Sequence, residues 1–191
     1  MRNRNIILVL ILLSSSQFIF GQQDNSKIEE AFLLQIQSSA PSLQIQNGLD
    51  FSNKAQIQQM GNSNDASINQ TLSGTNVPGN IAELIQHGSI NDAVLTQTGY
   101  GNSHFINQSG KGNMFEASVI GDNNSSTVDQ FGNDNMINQN LLGNDMAFIL
   151  SQHGKSNKII QIENDQIPRQ YEIHQQGNAM SIIFINGGVL P

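Results

Sequence analysis

From Ala55 to Asn186 the chain alternates apolar and polar residues in short runs, and each run ends near a glycine or an equivalent break. Six runs share one layout. An aliphatic residue (Ile57, Leu84, Ile106, Val128, Leu150, Ile173) stands two places before a glutamine (Gln59, Gln86, Gln108, Gln130, Gln152, Gln175). Two places further comes a glycine: Gly61, Gly88, Gly110, Gly132, Gly154 or Gly177. Alternation of period two marks a strand with one buried face, because successive side chains of a strand point to opposite sides. Three residues after the glycine comes an asparagine, Asn64, Asn91, Asn113, Asn135 or Asn157, with Met180 in the sixth copy. A second alternating arm follows, as in Ala66-x-Ile68-x-Gln70 and Ala93-x-Leu95-x-Gln97. Gly-x-x-Asn between the arms supplies turn chemistry, since both residue types tolerate positive φ. Each unit is expected to read strand, turn, strand, turn.

The glycines from Gly88 to Gly154 are 22 residues apart, and Gly99, Gly121 and Gly143 mark the half-period. Asn102 and Asn124 follow two of these half-way glycines at the same spacing of three. The register slips twice. Gly61 and Gly88 are 27 residues apart, which places an insertion at 71–80, and Gly154 and Gly177 are 23 apart. Self-similarity at a fixed period is the mark of a repeat architecture. A flat meander of hairpins and a β-solenoid both suit these units, and the columns of identical side chains separate them. The six glutamines lie above one another, about 4.8 Å apart, only where successive units stack. A lone inward glutamine is costly, but in a column each amide donates to the carbonyl of the next. The expected fold is all-β: a β-solenoid of about six 22-residue repeats, cross-β amyloid when assembled. The second inner column decays along the chain, running Gln70, Gln97, Val119, Leu141, Glu163, Asn186. The last unit ends in the apolar run Ser181-Ile182-Ile183-Phe184-Ile185.

Composition sharpens this picture. Of 191 residues 25 are Asn and 22 are Gln, while only 37% are hydrophobic and 12% charged. So few apolar side chains make no bulky core, and burial within one unit does not offset the ordering of its backbone. Ladders shared with neighbouring units close that gap, and the two end units keep unpaired edges that a further molecule would fill. The absence of Cys excludes disulfides, Cys-ligated zinc and thiol chemistry. Eight Lys and Arg against 15 Asp and Glu argue against a polyanionic partner, so no nucleic acid is expected. Arg2 and Arg4 precede the apolar stretch Ile6 to Leu13, and the small Gly21 precedes Gln22, which together read as a secretory signal peptide over residues 1–21. Its removal leaves six basic residues against 15 acidic, net −9. The apolar stretch is too short for a membrane anchor, and no transmembrane span is expected in the mature chain. Residues 22–53 then form a flexible, export or targeting segment, 54–187 the repeats and 188–191 a C-terminal tail.

The unit Ala82-x-Leu84-x-Gln86-x-Gly88-x-x-Asn91-x-Ala93-x-Leu95-x-Gln97 resembles the curlin repeat of bacterial curli fibre subunits. The resemblance implies a secreted functional amyloid whose subunits stack as β-solenoids into pilus-like fibres at the cell surface, serving biofilm and adhesion. It implies export through the periplasm and a dedicated outer-membrane pore with accessory proteins. The partners it implies are further copies of the chain and a second curli subunit. The family's stacking positions carry over at Gln59, Gly61, Asn64, Ala66 and Gln70, and at Gln86, Gly88, Asn91, Ala93 and Gln97. In later units the Ala after Asn becomes Phe115, Ile137, Ile159 and Ile182, and the second Gln is lost in four of six. Bulk and minor, nucleating subunits both remain open, the irregular late repeats and apolar last unit lying nearer the minor one.

Nothing in the chain has the spacing of a catalytic, cofactor or metal site. His87 and His153 precede turn glycines three units apart, His104 falls inward and His174 at an alternate position, so packing or solvation accounts for them. Asp65, Asp92, Asp122, Asp129 and Asp134 fall at turns or outward positions and read as solubilising charges that slow premature stacking. The expected role is a fibre subunit and no enzyme. The alternative is a non-polymerising secreted β-solenoid adhesin that binds a carbohydrate or surface.

Overall fold

In the computed structural model, which describes residues 51–164 and 167–187, each alternating arm is a strand. The expected leader 1–21, the segment after it up to residue 50 and the tail 188–191 lie outside the described residues. The first arms of the units are β1 (Lys54–Asn62), β3 (Ile81–Ser89), β5 (Ser103–Lys111), β7 (Ser125–Asn133), β9 (Ala147–Lys155) and β11 (Gln170–Asn178). Interleaved with them are β2 (Asp65–Leu72), β4 (Asp92–Gly99), β6 (Met114–Ile120), β8 (Met136–Leu142), β10 (Lys158–Asn164) and β12 (Ser181–Asn186). The odd strands form one six-stranded sheet in chain order, and the even strands form the other. Neighbours in both are parallel. The fold is all-β, a β-solenoid in which one odd and one even strand make a rung.

Register follows the glutamines. Ile57 lies beside Leu84 and Gln59 beside Gln86, and the same pairing runs to Leu150 beside Ile173 and Gln152 beside Gln175. The two slips in spacing leave it untouched, because the extra residues sit at corners: the loop after Leu72 and the one after Asn164. A corner bulges outward without shifting side chains to the other face, which an insertion within a strand would do. Between the sheets runs a thin core that includes Leu84, Leu95, Ile106, Phe115, Ile137, Leu150 and Ile159, all fully buried. The first rung differs. Ile57 is 44% exposed whereas its column neighbour Leu84 is 0% exposed, since β1 has a partner on one side only.

The corners correct one expectation. The repeat glycines do take positive φ, 115° at Gly88 and 123° at Gly110, but Asn64, Asn91, Asn113, Asn135 and Asn157 do not. The second positive φ falls one residue earlier, at Ser63, Ile90, Gly112, Asp134, Ser156 and Ala179. The asparagine keeps ordinary backbone angles and turns its carboxamide inward. The glycine is required for a second reason as well. A Cβ on Gly110 would lie 1.9 Å from the carbonyl oxygen of Gly132 on the next rung.

Candidate functional site

The core-facing glutamines of the odd strands form one continuous hydrogen-bonded column. Each Nε2 donates to the Oε1 of the next: Gln59 to Gln86 at 2.7 Å, Gln86 to Gln108 at 2.8 Å, Gln108 to Gln130 at 2.9 Å, Gln130 to Gln152 at 3.0 Å and Gln152 to Gln175 at 2.8 Å. The same Nε2 also crosses the core to a carbonyl of an even strand. Gln86 reaches Asp65 at 2.7 Å, Gln108 reaches Asp92 at 2.9 Å and Gln130 reaches Met114 at 2.9 Å. Gln152 and Gln175 do likewise to Met136 and Lys158. From Gln86 to Gln152 both amide hydrogens are used, which is why these neutral polar side chains can stand in the core at almost no exposure, whereas Gln59 on the first rung is exposed.

The asparagines form a second column at the corner between odd and even strands. The backbone N–H of each donates to the Oδ1 of the one before, at 3.0 Å for Asn91 to Asn64 and 3.1 Å for Asn113 to Asn91. Asn135 and Asn157 continue it at 3.2 and 3.1 Å. Nδ2 reaches onward to the glycine carbonyl of the next rung, as from Asn64 to Gly88 at 3.1 Å and Asn157 to Gly177 at 2.8 Å. The column stops at Met180, whose N–H meets Asn157 Oδ1 at 3.1 Å. Met180 has no carboxamide to pass on.

Two features were not legible in the spacing. The opposite corner carries its own asparagine column, Asn53, Asn80, Asn102 and Asn124, built by the same N–H to Oδ1 bonds and ending at Met146. Asn102 and Asn124 repeat the Gly-x-x-Asn spacing, but the 71–80 insertion hides Asn80. The second is in the inner column of the even strands. Gln70 donates to Gln97 at 2.7 Å, and Gln97 then turns to Nδ1 of His104 at 2.8 Å. Farther on, Gln139 and Gln161, two places before the expected position, restore a short ladder at 2.8 Å. A shift of two residues keeps the same face of a strand, so an inward carboxamide can change place without leaving the core.

His104 is buried, and burial pushes its pKa down to about 3. With Nδ1 accepting from Gln97, the ring proton belongs on Nε2, which is buried without a partner. The other histidines face outward. His87 is exposed, His153 packs its ring against Phe131 at 5.9 Å, and exposed His174 lies 3.1 Å from Glu172. Among the described residues no three of His, Asp or Glu gather as metal ligands would. Asp122 accepts from the Tyr100 N–H at a corner, and Asp129 accepts from Asn107 on the outer face. Burial raises the Asp129 pKa against the opposing pull of that bond.

The last rungs are closed by a polar and aromatic cluster. Gln161 donates to the Tyr171 hydroxyl at 2.8 Å, and that hydroxyl donates to the fully buried Glu163. Asn186 Nδ2 donates to Glu163 at 3.0 Å, and Arg169 Nε lies 3.4 Å from the other carboxylate oxygen. Burial first, then the bond to Glu163, push the Tyr171 phenol well above its usual range. Phe148, Tyr171 and Phe184 pack ring to ring at 4.6 and 4.5 Å.

The two ends of the solenoid are therefore unlike. Among the described residues no glutamine precedes Gln59 or Gln70 in its column and none follows Gln175, which is itself buried. No helix among the described residues is long and apolar enough to cross a membrane. Comparison with protein-family models, with curated proteins and with solved structures returns no match.

Proposed function

We propose that the chain is a structural subunit of secreted, curli-type amyloid fibres, acting by rung-on-rung assembly and not by catalysis. One observation carries this reading. The glutamine column starts at the exposed Gln59, to whose Oε1 no described glutamine donates, so the hydrogen-bonded stack is open to continuation at its first rung. Among the described strands β1 and β2 have a neighbour on one side only, so the sheet edges that a further rung would pair lie at the same end. The site of action is the cell surface, reached through the periplasm and a curli-type outer-membrane pore with accessory proteins. The partners are further copies and a second fibre subunit, with this chain nearer the minor, nucleating role.

Purified protein at neutral pH should form fibres after a lag, with cross-β reflections at about 4.7–4.8 Å and ~10 Å. A protein that stays monomeric for weeks at high concentration sinks the proposal. The second reading, a monomeric solenoid adhesin, draws on the Glu163, Tyr171, Arg169 and Asn186 cluster that closes one end. It predicts a stable monomer with saturable binding to a carbohydrate or surface.

A further inference from the structure

We propose that a single water molecule binds in the core between His104 and Gln139 and joins the polar side chains on either side into one hydrogen-bonded chain from Gln70 to Glu163. In the first half of that chain Gln70 donates to Gln97, and Gln97 donates to Nδ1 of His104. The second half starts at Gln139, which donates to Gln161, and continues from Gln161 through the Tyr171 hydroxyl to Glu163. Donation runs the same way in both halves, toward the buried carboxylate. Between the halves stand two atoms with complementary needs. His104 Nε2 and Gln139 Oε1 are both buried and neither has a hydrogen-bond partner in the protein. With Nδ1 accepting from Gln97, Nε2 carries a hydrogen, while the carbonyl oxygen of Gln139 can only accept. A buried donor and a buried acceptor are each costly unpaired, and one shared water satisfies both.

The fold brings these two atoms to one place. Gln139 Nε2 donates across the core to Ser126 Oγ at 3.0 Å, an offset of 13 residues between the sheets. One rung earlier the same offset sets His104 opposite Ala117, since His104 is the register partner of Ser126 and Ala117 that of Gln139. Gln139 also turns its Nε2 toward the later rung, to Gln161 at 2.8 Å, so its Oε1 points back over Ala117, which has no amide to give. The packing leaves room at the same spot. Ala117 and Ser126 keep 3% and 2% exposure although both face inward between the sheets, whereas their neighbours Leu95, Ile106 and Val128 are at 0%. A water there accepts from His104 Nε2–H and from the Ser126 hydroxyl and donates to Gln139 Oε1, and about three such bonds are usual for a buried water. Burial holds the imidazole neutral, so Nδ1 stays an acceptor for Gln97. The water thereby stands in for the carboxamide that the even strand lost at Ala117.

The test is magic-angle-spinning NMR of the isotopically labelled full-length protein at neutral pH, because the site lies within one molecule and exists whether or not copies assemble. The wild type should show His104 as the Nε2–H tautomer, with magnetisation passing from a slowly exchanging water to that hydrogen and to the Gln139 side chain. Ala117→Val fills the same room with hydrocarbon and expels the water. The transfer should then vanish, and the folding constant from urea unfolding should fall about tenfold as His104 and Gln139 lose their shared partner. A dry gap would instead be filled to advantage, leaving the variant as stable as the wild type or more so. No water transfer to His104 in the wild type, an Nδ1–H tautomer, transfer that persists in Ala117→Val, or a variant of undiminished stability each overturns the proposal. Should Ala117→Val fail to fold, the transfer in the wild type decides alone.

Discussion

Alanine at Gly110 should be far more costly than alanine at Gly112, although the two glycines share one corner. Gly110 sits at φ 123°, in a region that side chains rarely adopt, and its Cβ would lie 1.9 Å from the Gly132 carbonyl oxygen. That oxygen belongs to backbone held in the parallel ladder between β5 and β7, so it has nowhere to go without opening the rungs. Backbone strain of about 1–3 kcal/mol and forced overpacking of about 1–3 kcal/mol together give roughly 3–5 kcal/mol. Gly112 differs in both respects. Its φ of 68° is the left-handed helical value that Ser63, Asp134 and Ser156 adopt at the equivalent position. A Cβ there meets the carboxylate of Asp134 at 2.6 Å, the mobile end of a side chain. Strain of about 1–2 kcal/mol, partly offset by about 0.4–1 kcal/mol from the stiffer unfolded chain, leaves a net cost near ~1 kcal/mol. Urea unfolding of unassembled protein, followed by circular dichroism, measures both variants against the wild type. Equal losses, or a Gly110→Ala loss below about 1.5 kcal/mol, would refute the claim that rung spacing demands this glycine.

Three further outcomes follow from the columns and corners. Gln130→Leu leaves Gln108 without its forward acceptor and Gln152 and Met114 without donors, so it should cost about 2–3 kcal/mol, while Gln59→Leu on the exposed first rung removes only the bond to Gln86 and should cost about 1 kcal/mol. Similar losses for the two in urea unfolding would show that the column is not what stabilises the core. The folded pKa of His104 is depressed to about 3, so the unfolded chain binds the proton first as pH falls. Its stabilisation is complete above about pH 6.5 and is lost at roughly 1.4 kcal/mol per pH unit down to pH 3. His104→Gln should lose that component of the stability–pH slope, and an unchanged slope contradicts the burial argument. Ile90 is a β-branched residue at φ 60° and 55% exposed, so Ile90→Asn should stabilise by about 1 kcal/mol. A lower melting temperature in that variant would contradict it.

The sequence by itself determined the strands, their inward face and their register. Gln59, Gln86, Gln108, Gln130, Gln152 and Gln175 reveal all three, because a period of two defines a face and a period of 22 residues defines a stack. Sequence did not show which corner residue would take the second positive φ. Asparagine suits that angle as an isolated residue, but its carboxamide is worth more inside the corner, bridging to the next rung, so Ser63, Ile90 or Asp134 takes the angle instead. Nor did it show how the polar core would be completed where the glutamine is lost. His104 receives the Gln97 amide from the opposite sheet, and Gln161 ends on Tyr171, contacts that exist only once two sheets face each other. Lastly, a list of amides has no direction. Only the folded stack decides that the glutamines from Gln86 to Gln152 donate to the glutamine of the later rung, since each must spend its remaining hydrogen on a carbonyl across the core. That direction makes the two ends of the solenoid chemically different.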